Sequence, residues 1–171
     1  KFWRCDGANG AKSGGYNINS VKSWADVAVK GPATVTFDWQ VSSEKTYDKL
    51  HFYDNGSEKF TYISGEVSES KTYDITDSNT HILKFEYTKD GSAKSGSDCG
   101  WVRNFKVSRP ADLLPDGYVQ YVALHTDGGA MINSGCSYAA NTRIDFDWKL
   151  DGSSKLDDWT LPSGASTLTC Q

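Results

Sequence analysis

The sequence predicts an all-β fold, a sandwich of many short strands. Three observations carry that reading. Aromatic residues make up 13% of the 171 residues and charged residues only 23%, with 16 glycines; rings suit a pleated surface and glycines suit turns. Apolar and polar residues alternate at period two in several stretches, the mark of half-buried strands. These stretches recur at short intervals with turn signals between them, which is the spacing of a sandwich. No stretch holds a convincing helical period; Val21 to Val29 comes nearest and is short.

Taken in order, Val35-Thr36-Phe37-Asp38-Trp39-Gln40-Val41 places Val35, Phe37, Trp39 and Val41 on one face. Leu50-His51-Phe52-Tyr53 is the next strand and runs into Asp54-Asn55-Gly56-Ser57. Asn-Gly between strands signals a type I′ hairpin, whose central residues both need positive φ. Phe60-Thr61-Tyr62-Ile63 is the expected return strand. Lys71 to Thr76 follows, with Tyr73 and Ile75 on one face, then Ile82 to Tyr87, with Leu83, Phe85 and Tyr87 inward. Asp90 to Cys99 reads as a Gly/Ser loop, and Trp101 to Val107 closes the set.

Residues 1–109 carry 15 Lys+Arg against 14 Asp+Glu, and residues 110–171 carry 3 against 8. The seam, with Pro110, Pro115 and Asp116-Gly117, predicts a linker over 110–117. Residues 118–171 read as a small β segment, with strands over Tyr118 to Leu124 and Arg143 to Leu150. So short a piece holds little core of its own. It is expected to be stapled by Cys136 and Cys170, to pack on the first domain, or to be the opening of a larger domain.

Composition also excludes functions. No apolar run is long enough to cross a membrane as a helix. A net charge of −4 argues against binding a phosphate backbone, which calls for a basic stripe. There is no nucleophile elbow, no zinc-binding histidine pair and no phosphate loop. Cys136 beside His125 and Asp127 reads better as a disulfide cysteine near a loop histidine than as a catalytic set. The chain is therefore expected not to be an enzyme. Four widely separated cysteines, Cys5, Cys99, Cys136 and Cys170, fit two disulfides and an oxidising, extracellular or cell-surface setting.

Five blocks occur in order: Gly31 to Glu44, Tyr47 to Tyr53, Ile63 to Glu66, Tyr87 to Gly91 and Ser95 to Val102. With them, residues 2–107 resemble a jelly-roll module of secreted, multi-domain bacterial surface proteins and proteases, related to MAM and carbohydrate-binding-module sandwiches. The resemblance implies a jelly-roll β-sandwich over 1–109 followed by a short β appendage. It implies a Cys5–Cys99 disulfide, since the first and last strands of a jelly roll lie side by side, which leaves Cys136–Cys170 as the second. It brings the loops holding Asp6, Asp90 and Asp98 to one end, where they are candidate ligands of a structural calcium; no cofactor is required. Trp101-Val102-Arg103-Asn104 departs from the module's usual Trp-Val-Asp-Asn, which weakens any metal at that place. More weakly, residues 117–150 resemble the start of a concanavalin-like (laminin-G-like) domain.

The expected function is non-catalytic: a lectin-like accessory module that binds a glycan or surface polysaccharide, without nucleic acid or membrane insertion. Alternatives are a structural or adhesion domain with a protein partner, or a phage-tail-type receptor-binding domain. A sugar needs a ring to stack on and planar polar partners. Strand alternation puts Gln40, His51, Tyr53, Lys84 and Glu86 away from the core, with Tyr53 as the stacking platform. Trp3, Trp24 and Trp101 form the alternative, a group of platforms at the loop ends.

Overall fold

The computed structural model describes residues 3–14 and 18–108, together with four short strands further on. The strands are β1 (Arg4–Cys5), β2 (Ala11–Lys12), β3 (Val21–Lys30), β4 (Ala33–Ser42), β5 (Lys49–Asp54), β6 (Ser57–Glu58), β7 (Glu66–Ile75), β8 (Thr80–Lys89), β9 (Cys99–Ser108), β10 (Leu124–Thr126), β11 (Met131–Ile132), β12 (Trp148–Leu150) and β13 (Ser153–Lys155). Two large sheets have the orders β1-β2-β9-β4-β7 and β11-β10-β3-β8-β5-β6, and β12 pairs with β13 apart from them. All pairings in them are antiparallel. From β2 to β9 the chain passes from sheet to sheet, breaking step only at the β5–β6 hairpin. The two four-strand orders, β2-β9-β4-β7 and β3-β8-β5-β6, are those of a jelly roll.

The core lies between the sheets. Val35, Phe37, Trp39 and Val41 are buried from β4, Leu50 and Phe52 from β5, and Leu83, Phe85 and Tyr87 from β8. Phe37 is the hub, with ring centroids 4.9 Å from Phe52 and 4.8 Å from Phe85. The Asn55–Gly56 turn forms as expected, with φ of 48° and 80°, and it closes β5 onto β6.

Several expectations need correcting. Val21–Lys30 is a full strand whose Ser23, Ala25, Val27 and Val29 are buried in alternation. The return from the hairpin is the two-residue β6, and Ile63 meets Leu50 through an isolated bridge. The strand read over Lys71 to Thr76 begins earlier, at Glu66. β10 pairs with the edge of β3, and Leu124 is buried in the same core. The chain beyond residue 118 thus extends the first unit's sheet at this point. Apart from β10 to β13, the expected linker and the rest of the small β segment lie outside the described residues.

The Cys5–Cys99 bridge does not form. β2 intervenes between β1 and β9, and Cys5 aligns through Ala11 with Val102. Two strand spacings are about 9–10 Å, beyond the roughly 7 Å limit for bridged Cα atoms. Cys99 is a free, buried thiol, pushed up to about 11 mainly by burial. Cys5 is disulfide-bonded; the expected Cys136–Cys170 pair lies outside the described residues.

Candidate functional site: an aromatic sheet face

The outer face of the β3-β8-β5 sheet gathers most of the expected site. The register aligns Trp24, Glu86 and His51 in one row and Asp26, Lys84 and Tyr53 in the next. Period-two alternation puts these side chains on the outer side of the sheet because Ala25, Phe52 and Phe85 face the core; there they cover one another, Glu86 being buried and the other five half-buried. His51 and Tyr53 stack, with centroids 5.7 Å apart and planes 21° from parallel. Tyr62 continues the line, 5.5 Å from His51, and is 37% exposed. Three rings therefore adjoin one another, Tyr53 and His51 on β5 and Tyr62 beside His51.

Polar groups border this strip. Glu86 accepts from Lys84 Nζ at 2.9 Å and pairs with Lys22 Nζ at 3.6 Å. His51 Nδ1 lies 2.7 Å from Glu58 Oε1. Lys84 Nζ sits over the Tyr53 ring at 4.7 Å, and Lys49 Nζ over the Tyr62 ring at 4.5 Å. Burial, then the nearby Glu86 and Glu58 carboxylates, push the Tyr53 phenol above its ordinary value, so it stays a neutral donor.

No family model matches the chain, and no curated protein or solved structure matches it significantly.

The structure separates Gln40 from this group. β4 is flanked by β9 and β7, so Gln40 lies on the outside of the opposite sheet, where its Oε1 accepts from Arg103 at 2.7 Å. Arg103 also reaches Ser68 at 3.4 Å. A bulge opposite Phe37 turns Asn104 outward with φ of 51°, and Asn104 and Ser70 both donate to Asp38. Those two hydrogen bonds hold the Asp38 carboxyl below its ordinary value. The three candidate tryptophans also separate. Trp3 is core, 2% exposed, and is no platform. Trp101 lies next to Gln40, with Nε1 donating to Asp6 at 3.1 Å and Lys12 over its ring. Trp24 joins the β3-β8-β5 face instead.

Sequence reasoning missed Tyr62, Lys49 and Glu58. Tyr62 was hidden by its place in an expected return strand. The other two are charged strand residues that only the register brings beside rings.

Asp6, Asp90 and Asp98 do not form a ligand set. Among the described residues the acidic group that comes together is Glu44, Asp48 and Asp90, with oxygens within 4.8 Å of one another. The Lys89 ammonium is fully buried there, 3.3 Å from Asp48 and 2.9 Å from Asp90, and donates to the Ser92 carbonyl at 2.6 Å. The chain brings its own cation to these carboxylates, a poor fit to calcium, which takes oxygen ligands.

A second titratable cluster ties the sheets together. His81 Nδ1 lies 2.8 Å from Asp54 Oδ2 and Nε2 lies 3.2 Å from Asp77. Tyr73 of the other sheet donates to Asp54 at 2.7 Å. With both ring nitrogens facing carboxylates, His81 is suited to holding a proton and not to removing one. Burial alone would lower its pKa, but the hydrogen bonds to Asp54 and Asp77 outweigh this and raise it above 6.5. A raised folded value means the stabilisation is fully present below the unfolded pKa and is lost as pH rises through the folded one. The urea midpoint of the wild type is expected to fall across that window, and His81→Asn to remove this part of the slope. An equal slope in the variant would assign the pH dependence elsewhere.

Proposed function

We propose that the chain is a non-catalytic, carbohydrate-binding accessory module of a secreted or cell-surface protein, and that the β3-β8-β5 face is its site. The observation that carries this reading is the Tyr53–His51–Tyr62 line bordered by Lys84, Glu86 and Glu58. Rings supply apolar faces for pyranose stacking, and the charged groups supply donors and acceptors for hydroxyls. A shallow sheet face with few rings implies affinity on the order of millimolar to high micromolar.

Tyr53→Ala and Tyr62→Ala are each expected to abolish binding to the best ligand on a glycan array while leaving the melting temperature nearly unchanged. Tyr53 is half-buried on the outer face of β5 and Tyr62 is exposed, and side chains outside the core contribute little to stability. Binding that survives both changes would move the site to the opposite face, around Trp101, Gln40 and Arg103. Silence across a broad array would favour an adhesion role with a protein partner.

A further inference from the structure

We propose that the β3-β8-β5 face selects an acidic oligosaccharide, with Lys49 and Lys84 receiving its acid groups; this rests on the glycan-binding reading above. The rings of this face are not bare. Lys84 lies over Tyr53 and Lys49 over Tyr62. The ring quadrupole holds each cation, and each cation occupies the surface on which a pyranose would stack. A sugar must therefore move the ammonium aside.

For a neutral sugar that displacement is a loss without ionic return. For an acidic sugar it is an exchange: the ammonium leaves the ring and closes on the incoming carboxylate as a charge-assisted hydrogen bond. Lys49 is placed for this, because the Tyr62 ring is its contact and no carboxylate lies within ion-pair distance of it among the described residues. Lys84 is held by Glu86, but Glu86 keeps a second cation, Lys22, when Lys84 swings away.

Geometry also sets the ligand's size. Tyr53 aligns with Lys84 and Lys49 with Thr88, so the two lysine backbones stand four strand positions apart, about 13 Å at the usual strand rise, and their ammoniums sit over two different rings, Tyr53 and Tyr62, with His51 adjoining both. A monosaccharide with one acid group engages only one of the two lysines. An oligomer with repeated acid groups engages both.

The test titrates the intact chain with oligosaccharides of galacturonate, of mannuronate and of hyaluronan, each beside its methyl ester. The ester keeps the sugar chain and removes the charge. At least one acid is expected to bind about tenfold or more tighter than its ester, with affinity falling as salt is added. Lys49→Met and Lys84→Met keep most of each stem, and melting curves check the fold. Each is expected to lower affinity for the acid about tenfold and to bring the ratio of acid to ester affinity towards one. Esters that bind as tightly as their acids, or methionine variants that bind acids like wild type, overturn the acidic selection and leave the glycan reading standing. No binding by any acid, ester or neutral glycan on the array overturns both.

Discussion

Trp39→Ala is expected to lower stability by about 3–5 kcal/mol, the usual loss for truncating a buried tryptophan. Trp39 is 0% exposed in the middle of β4. Its ring meets Phe37 edge-on at 6.0 Å and Phe60 at 6.3 Å, and its Nε1 donates to Glu69 at 3.0 Å. Alanine would open a cavity between the sheets and take away that donor. Since domains are stable by roughly 5–15 kcal/mol, the variant would sit near the folding threshold. Urea unfolding reads the loss directly, and an unchanged midpoint would mean that this indole is not a core side chain.

Lys89→Met should cost about as much, roughly 3–5 kcal/mol, for a different reason. The Lys89 and Asp48 side chains are both 0% exposed. Burial alone would depress the lysine, yet hydrogen bonds to Asp90 and Asp48 raise its pKa, so it stays charged. Methionine fills much of the space but leaves Asp48 as a buried charge without its counter-ion. The double variant Asp48→Asn, Lys89→Met removes both charges and is expected to recover part of the loss, since neutral replacement of a buried pair is often tolerated. If the single variant unfolds at the wild-type midpoint, the pair contributes nothing to the fold.

What was legible in the sequence was parity. β5 alternates strictly, β4 does so up to its last residue, and β8 does so except at the buried Glu86, so the inward sets around Trp39, Phe52 and Phe85 follow from period two. The hairpin was legible because Asn55-Gly56 is a local signal. Parity says which way a side chain points but not which sheet carries it. That is why Gln40 was grouped with Tyr53: both point outward, yet β4 and β5 lie in opposite sheets, as consecutive long strands of a jelly roll do. β3 was obscured because Trp24 and Ala28 put apolar residues on its outer face between the buried Ser23, Ala25, Val27 and Val29. Trp3 and Cys99 were misread because their burial and pairing depend on strand order, which no local pattern encodes. Tyr62 and Lys49 became neighbours of the site through the Leu50–Ile63 bridge, a contact between segments that have no shared periodicity.

The most direct test of the account is amide chemical-shift mapping while a bound glycan from the array is titrated in. The account predicts that the largest shifts fall on residues 49–53 of β5, 84–88 of β8 and the Tyr62 segment, with Trp24 moving and Gln40 still. Shifts concentrated on Gln40, Trp101 and Arg103 would contradict it, as would an unchanged spectrum at saturating glycan.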